Sequence, residues 1–322
     1  MQRQKRIDDL IAGLLDAIPI RAKSLIVTVY GDAVLPHGGS VWLGSLINLL
    51  EPFGQSERMV RTAVFRLTKD DWLEATQIGR RSYYAVTDSG RVRFDAAHRR
   101  IYAAPNMPWN GEWVLVHTNC CGLEPEPRES LRRDLAWQGF GQLAPHILAH
   151  PSPDEEALHL SLREHNAMEK VVILRAGADR LTTPGSLKML VRACWDLDQL
   201  QTDYEGFLER FRPVWRAMDD NGVPDGTASF IIRTLLIHDY RRILLRDPML
   251  PEEVLPPNWP GAAARLLCRN IYRAVQGPAE KHLMQTLETA DGPLPGALPY
   301  FYDRFGGLMD GTDSRAFSAV MT

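Results

Sequence analysis

The chain has 322 residues, of which 45% are hydrophobic and 24% are charged, a composition that excludes wholesale disorder and a length that predicts two or three domains. The net charge of −3 does not by itself indicate a nucleic-acid partner, but the charges are unevenly distributed. Residues 1–104 carry 15 Lys and Arg against 11 Asp and Glu, a net charge of +4, whereas the rest carries 22 against 29, a net charge of −7. A basic N-terminal part on an acidic body is typical of a regulator that binds DNA with one end.

Cysteine usage and the apolar runs predict a cytoplasmic protein. The four cysteines form no CxxC pair and no zinc spacing, which favours a reduced compartment and no metal site. They are Cys120, Cys121, Cys194 and Cys268. The apolar parts of the first thirty residues are interrupted by charges and by Pro19, so no signal peptide is predicted. No apolar run approaches the roughly 20 residues that a membrane span needs.

The N-terminal hundred residues read as an arm followed by a small helical domain. Residues 1–20 predict an amphipathic helix whose apolar side would pack on the body or on a partner subunit. That side carries Ile7, Leu10, Ile11, Leu14 and Leu15. The following pattern predicts a helix at residues 22–30, a turn-rich segment at 31–39 and a short strand at 40–42. A second helix at 43–50 and a turn at 52–54 come next, and a closing helix at 88–101 follows the stretch described below.

Residues 56–69 are the most informative stretch of the chain. Their apolar residues recur at the spacing of one helix face, with Ser56 as a plausible N-cap. These apolar residues are Val60, Ala63, Val64 and Leu67. The opposite face carries the candidate DNA-binding residues Arg58, Arg61, Thr62, Arg66 and Lys69. Phe65 also lies on this face, where it would either contact a thymine methyl group or pack on the neighbouring hairpin.

A β-hairpin follows directly. Residues 72–78 and 82–87 predict antiparallel strands, and the tip between them contributes the candidate DNA-binding residues Arg80 and Arg81. An arginine-faced helix or a basic hairpin tip is, taken singly, usually only solvated surface. In this order they indicate a winged helix-turn-helix, in which the helix enters the major groove and the wing contacts phosphate or the minor groove.

The middle of the chain changes to alternating strands and helices after a proline-rich boundary at residues 102–111. Strands are predicted at residues 112–118, within 141–149 and at 170–175, and helices at 127–138 and 153–166. This order predicts a small α+β domain of ferredoxin-like type. Beyond residue 184 the pattern predicts helices only, at residues 187–217, 227–246 and 260–275, and a loop-like tail after Gly292 anchored by Tyr300, Phe301, Tyr302 and Phe305.

Enzyme chemistry finds little support. None of the nine histidines lies in an HExxH motif, and the sequence contains no GxSxG or Walker motif. The first strand of the middle domain ends in His117, Thr118 and Asn119, which offer no carboxylate for the metal that a ferredoxin-like nuclease would need. The sequence therefore predicts no catalytic residues and no metal.

The helix at residues 227–246 is apolar nearly all round, yet His238, Arg242 and Arg246 form a polar row on it. Buried arginines need partners, so one interpretation pairs them with Asp239, Asp247 or acids of neighbouring helices. The other is an anion pocket, because arginine suits phosphate. The candidate effector-binding residues under the second interpretation are Arg212, Trp215, His238, Tyr240, Arg241 and Arg242, joined by Arg246.

Several long motifs resemble a known family. They are YGD, GGSVWLGSL, ERMVRTAVFRL, IGRRSYYAVTDSG, WQGFGQLAPHILAHPS, FRPVW, LLIHDYRRILLRDPMLPEEVLPPNWPG and YFYDRFGGL. Over nearly its whole length the chain resembles the PaaX family of transcriptional repressors of phenylacetic acid degradation. The resemblance implies a winged-helix domain, a middle domain similar to the ferredoxin-like fold of Cas2 and a helical C-terminal domain. It also implies a homodimer that leaves its double-stranded DNA operator when phenylacetyl-CoA binds, with no enzymatic activity and no cofactor.

Together these observations predict an α+β multidomain protein with four parts. They are an N-terminal arm at 1–20, a winged helix-turn-helix at 21–104, a ferredoxin-like (Cas2-like) domain at 111–180 and a helical C-terminal domain at 185–322. Two functional hypotheses follow, a ligand-responsive DNA-binding repressor and a nucleic-acid-processing, Cas2-like protein targeted by its winged helix. Which aromatic pathway such a repressor controls stays open, because similar repressors occur near several.

Overall fold

The computed structural model describes residues 2–102, 109–119, 121–177 and 182–308. The chain divides into two compact units. The first is drawn from Met1–Ala104, Glu205–Arg242 and Ala262–Thr322, and the second from Pro105–Tyr204 and Ile243–Gly261. The first unit thus gathers residues from both ends of the sequence. Among the described residues, no helix combines the length and the apolar character that crossing a membrane requires.

The N-terminal part of the first unit is built mainly of helices with one small sheet. Its elements are α1 Gln2–Ala17, α2 Ala22–Val29, β1 Ser40–Trp42, α3 Leu43–Leu50, α4 Glu57–Lys69, β2 Leu73–Ile78, β3 Arg81–Val86 and α5 Asp88–Tyr102. The helices and strands predicted from residue periodicity are confirmed here to within two residues at their ends, apart from the arm helix, which ends three residues earlier than predicted. The prediction of a turn-rich segment at residues 31–39 is wrong in detail. It continues α2 as a π-helical turn, Tyr30–Val34, and then a 3-10 turn, Leu35–His37.

The arm α1 buries its apolar stripe within the chain itself. Ile7, Ile11 and Leu14 are buried, and Leu10 and Leu15 are half-buried. Arg6 forms an ion pair with Asp220 of the same unit. Of the two positions expected for the arm, packing on the body is the one observed.

The small sheet has the order β1-β3-β2, with both pairs antiparallel. Tyr84 is the central residue, opposite Val41 on one side and Ala75 on the other. The hairpin β2–β3 turns at Gly79, whose φ of +60° suits glycine. At the base of the hairpin, a Cβ on Gly90 would lie 2.4 Å from the carbonyl oxygen of Trp72, so α5 starts close against the chain that enters β2.

The middle of the chain forms one antiparallel sheet in the second unit. Its elements are β4 Glu112–His117, α6 Pro125–Trp137, β5 Gly141–Ala144, β6 Ile147–His150, α7 Glu155–Glu164 and β7 Val172–Gly177. The strand order β5-β6-β4-β7 with this succession is the ferredoxin-like arrangement that the sequence predicts. The single strand expected within residues 141–149 is instead a tight hairpin of two strands, because His146 adopts a φ of +64° and reverses the chain.

The two faces of this sheet pack on different cores. Val114 and Val116 face α6 and α7, where they pack with Leu131, Leu135 and Leu158. Trp113 and Ala149 belong to a second cluster, whose other members are Val191, Leu197, Leu250, Val254 and Leu255. At the edge of the sheet, β7 leaves Val172, Ile173 and Leu174 exposed to solvent.

The C-terminal part is helical, as predicted, but its boundaries differ. Its elements are α8 Pro184–Cys194, α9 Leu197–Asn221, α10 Gly226–Leu244, α11 Pro260–Thr286, β8 Glu288–Thr289 and β9 Gly292–Pro293. The helix predicted at 187–217 is two helices, because Trp195 is extended and its indole donates to the carbonyl of Gly139. The FRPVW motif lies within the second of these helices, with Pro213 inside α9. Likewise α11 continues eleven residues beyond its predicted end and includes Pro278.

The tail after Gly292 is held in the first unit by aromatic residues. Phe301 and Phe305 are buried, whereas Tyr302 is 40% exposed. Two 3-10 turns, Pro299–Phe301 and Arg304–Gly306, carry Phe301 and Phe305. Of the four aromatic residues predicted to hold the tail, Phe301 and Phe305 contribute the buried anchors.

Candidate nucleic-acid interface

The helix α4 has one buried and one exposed face. Val60, Ala63, Val64 and Leu67 are buried, which fixes the helix against the unit and turns its other side outward. The Ser56 hydroxyl accepts a hydrogen bond from the Met59 amide at 3.4 Å, as a capping residue does. All five predicted DNA-binding residues of this helix are exposed, namely Arg58, Arg61, Thr62, Arg66 and Lys69.

The side chains on that face differ in what they contact. Arg61 donates to Glu57, one turn earlier, at 2.8 Å, and the Thr62 hydroxyl donates to the Arg58 carbonyl at 2.8 Å. The ammonium of Lys69 lies 4.9 Å from the ring centroid of Phe65. Phe65 itself is 58% exposed, so most of its side chain faces solvent.

The hairpin β2–β3 carries two arginines with different surroundings. Arg80 occupies the exposed turn beside Gly79. Arg81 is held on two sides, since its guanidinium donates to Glu288 of β8 at 2.6 Å and lies 4.2 Å from the ring of Trp42. The hydrogen bond from Arg81 to Glu288 raises the pKa of Arg81. No local pattern in the sequence predicts this ion pair with Glu288.

The candidate effector residues of α10 are mostly occupied by internal contacts. His238 Nδ1 lies 2.8 Å from the Thr28 hydroxyl, and burial lowers the pKa of His238 to about 4. Tyr240 is buried with its ring centroid 5.3 Å from that of Phe207. Arg241 donates to the Ser24 carbonyl at 2.9 Å and to the Ser24 hydroxyl at 2.7 Å, and burial lowers its pKa to about 10.

The remaining members of the predicted effector set are more accessible. Arg242 is 42% exposed and lies 3.9 Å from Asp239, whose main partner is Arg210 at 2.7 Å. Arg212 and Trp215 are half-buried on α9. Arg246 belongs to the second unit, where it pairs with Asp203 at 2.7 Å. The six predicted residues therefore divide into a buried group and a more open group.

A buried charge network in the first unit is not among the sequence predictions. Asp32, on the π-helical turn after α2, accepts from Arg233 Nε at 2.7 Å and from Arg304 Nη1 at 3.0 Å. Arg233 also donates to Glu280 of α11, and Glu280 contacts His37 Nε2 at 2.8 Å. Burial would lower the pKa of Arg233, but the nearby carboxylate of Asp32 raises it well above its usual value.

Two tyrosines complete this network. The hydroxyl groups of Tyr102 and Tyr272 donate to Asp32 at 2.6 and 2.9 Å. Arg304 lies 4.1 Å from the ring of Tyr102. Asp32 belongs to the YGD motif and Arg304 to the YFYDRFGGL motif. Both motifs are visible in the sequence, but the contact between them could not be predicted from it.

A row of arginines on α11 is also absent from the sequence predictions. Arg265, Arg269 and Arg273 follow one another at intervals of four residues, which places them along one side of the helix. All three are half-buried. The Nε atoms of Arg269 and Arg273 are buried without an acceptor in the described part of the chain, while Arg273 Nη2 donates to the Gly307 carbonyl.

The side chains that could hold a metal ion are dispersed through the described part of the chain. Nowhere in it do three His, Cys, Asp or Glu side chains come together as metal ligands would. Cys120 lies outside the described residues, and Cys121, Cys194 and Cys268 are thiols that take no part in a disulfide.

Comparison with known proteins places these features in a family. Three family models match in succession: the PaaX-like protein model at residues 21–90, the PaaX protein central Cas2-like domain at 106–187 and the PaaX-like protein C-terminal domain at 195–285. The chain is 39% identical over 306 residues to the transcriptional repressor PaaX of Escherichia coli (strain K12), a match that covers 94% of this chain and 96% of the relative.

A solved structure is also similar. The uncharacterized protein Rv0674 from Mycobacterium tuberculosis is 25% identical, with a TM-score of 0.50, and the match covers 81% of this chain and 97% of that one. The resemblance inferred from the motifs is therefore confirmed at the level of the whole sequence. Since the similarity to the Escherichia coli repressor extends over nearly the full length of both chains, and the three family segments occur in order, this chain belongs to the PaaX family.

Proposed function

We propose that this protein is a transcriptional repressor that binds double-stranded DNA through a winged helix-turn-helix in its first unit. The observation that carries this proposal is the exposed cationic face of α4 beside the basic tip of the β2–β3 hairpin. The relationship to a transcriptional repressor supports it. Under this proposal α3 and α4 are the helix-turn-helix, α4 is the recognition helix and the hairpin is the wing.

The wing and the recognition helix have separate roles in this proposal. Exposed arginines of α4 lie where a helix in the major groove reaches base edges and phosphates. Arg80 and Arg81 at the hairpin tip would contact phosphate or the adjacent minor groove. Contacts to phosphate give affinity that falls steeply with salt, whereas contacts to bases give preference for one sequence.

The direct test is binding of the full-length protein to DNA from a random library. Repeated selection should enrich one sequence, and the enriched duplex should bind more tightly than a scrambled duplex of the same composition. Failure to enrich any sequence would contradict the proposal. Incubation of the protein with the same duplex and Mg²⁺ or Mn²⁺ tests the alternative hypothesis. A nucleic-acid-processing protein should give cleavage products. We expect no cleavage.

The finer proposal concerns what the repressor responds to. The family resemblance implies an operon for phenylacetate or a related aromatic acid, release by phenylacetyl-CoA and a cytoplasmic setting. Such a ligand needs cationic side chains for its phosphates and an apolar pocket for its phenyl group. Phenylacetyl-CoA should dissociate the protein from the selected duplex, whereas free CoA should not. Release by both ligands alike would contradict recognition of the acyl group.

Within the predicted effector set, Arg212, Trp215 and Arg242 are the best placed to meet a ligand. His238, Tyr240 and Arg241 are engaged in internal contacts, and a supporting role suits them better. The row Arg265, Arg269 and Arg273 provides further cationic groups for phosphate. Arg242→Gln and Arg269→Gln should each raise the phenylacetyl-CoA concentration needed for release and leave DNA affinity unchanged. Arg216→Gln, at an exposed position of α9, is the matched control.

The proposal includes a homodimer, because one recognition helix reads only a few base pairs and a two-fold dimer doubles the site. The arm α1 is less suited to this contact, since its apolar stripe is already buried. The exposed edge strand β7, with Val172, Ile173 and Leu174, is well suited to pairing with the same strand of a second copy. Ile173→Lys should shift the protein towards the monomer in sedimentation experiments. A dimer of unchanged affinity would place the interface elsewhere.

A further inference from the structure

Phe65 occupies the middle of the exposed face of α4. It lies two turns after Arg58 and one turn before Lys69, so these three side chains follow one line along the helix. Its side chain is 58% exposed. A single exposed aromatic residue needs no explanation by itself, but this one stands at the centre of a cationic face and not at its margin.

A neighbour on the same helix contacts the ring. The ammonium of Lys69 lies 4.9 Å from the ring centroid, an attractive cation–π arrangement. The residues of α4 that pack inward lie on the opposite side of the helix. The free protein therefore holds an oriented apolar ring in water, flanked by cations.

The major groove contains one apolar feature that such a ring can recognise. Guanine, cytosine and adenine present hydrogen-bonding groups there, whereas thymine also presents its C5-methyl group. We infer that the ring of Phe65 contacts a thymine methyl group and makes this protein select thymine at one position of each half-site. The inference rests on the proposed function, and it assigns Phe65 a part in sequence preference that the flanking arginines cannot supply.

The test uses the full-length protein and the duplex selected from a random library. A second duplex has the same sequence with every thymine replaced by deoxyuridine, which removes the methyl groups and keeps the base pairing. The wild-type protein should bind the deoxyuridine duplex about fourfold more weakly for each methyl group it contacts. Phe65→Ala should bind the two duplexes equally, and Phe65→Leu should keep part of the preference because it keeps an apolar contact.

Two controls separate this effect from others. Val92→Ala removes another exposed apolar side chain of the same unit, 66% exposed on α5, and should retain the full preference for thymine. Thermal unfolding of Phe65→Ala should match that of the wild type, because the side chain is largely in water.

The outcomes are distinct. Equal binding of both duplexes by the wild type would overturn the inference and leave the proposed function standing. An equal loss of affinity in the wild type and in Phe65→Ala would overturn it too, because it would indicate a change in DNA stiffness. If the wild type enriches no sequence from the library, the proposed function fails and this inference fails with it.

Discussion

Arg233 Nε of α10 lies 2.7 Å from a carboxylate oxygen of Asp32, although the two residues are 201 positions apart and both side chains are almost fully buried. Asp32 also accepts from Arg304, so three segments of the first unit meet at one carboxylate. A buried charge is stable only when its partners are in place. The first unit therefore has one arrangement in which the charges of the π-helical turn after α2, of α10 and of the C-terminal tail satisfy each other.

Removal of this carboxylate should destabilise the first unit strongly. Asp32→Asn leaves two buried guanidinium groups short of a negative partner, and removing one partner of a buried ion pair typically costs about 3–5 kcal/mol. Urea-induced unfolding of the full chain measures it. The control is Asp70→Asn, because Asp70 forms a surface pair with Lys23 and surface pairs contribute little to stability. Similar destabilisation in both variants would contradict the central role of Asp32.

The two arginines of the hairpin tip should contribute to DNA affinity without contributing to sequence preference. The double variant Arg80→Ala, Arg81→Ala should bind every sequence more weakly and flatten the salt dependence, with a slope lower by about 1 for each phosphate that the variant no longer neutralises. Binding isotherms at several salt concentrations measure both quantities. If operator affinity and salt slope are untouched, the hairpin is not a wing.

The acid that holds Arg81 should oppose its contact with DNA. Glu288 competes with phosphate for the Arg81 guanidinium, and both side chains of the pair are about half exposed. Glu288→Gln should therefore strengthen DNA binding several-fold at low salt and less at high salt. The control Glu74→Gln removes a negative charge from exposed β2 without touching the pair between Glu288 and Arg81. An equal effect of both variants would indicate general electrostatics and not release of Arg81.

Stability should fall as the pH drops below about 6.5. Burial, assisted by neighbouring arginines, lowers the pKa of His98 and of His238 to about 4. Both rings therefore stay neutral in the folded protein, while the unfolded chain takes up protons below about pH 6.5. The free energy of unfolding consequently decreases as the pH falls from about 6.5 to 4.

Glu280 contributes at lower pH. Burial raises the pKa of Glu280, but Arg233 and His37 outweigh this effect and lower the pKa to about 2. Its contribution is present above pH 4.5 and is lost as the pH falls towards 2.

His98→Phe tests the histidine part of this prediction. The substitution keeps a ring against Tyr102 and Tyr300, whose centroids lie 4.8 and 5.3 Å from that of His98, and removes the titrating group. Denaturant unfolding between pH 7.5 and 4 should show a shallower decline than in the wild type. An unchanged pH profile would show that His98 does not titrate differently in the folded and unfolded states.

The sequence alone determined the parts of this protein that depend on neighbouring residues. The apolar spacing of residues 60–67 set the helix α4 and its outward cationic face, and the strand patterns on either side of Gly79 set the hairpin. The same kind of evidence predicted the strand and helix order of the middle domain, apart from the hairpin at His146. In each case the signal is a repeat of apolar residues or a turn within a few residues. Such a signal is visible in the sequence because helices and strands place side chains on one face at fixed short intervals.

Only the tertiary structure decided which distant residues meet. The sequence offered Asp239 and Asp247 as partners for the arginines of α10, yet the most buried charge pairs involve Asp32, whose arginine partners lie more than 200 positions away. The sequence likewise left open what the Phe65 side chain contacts, and it contained no sign that Glu288 pairs with Arg81. A local pattern records how a segment folds but not which other segment covers it, because the pairing of buried charges is settled only when all the elements pack together.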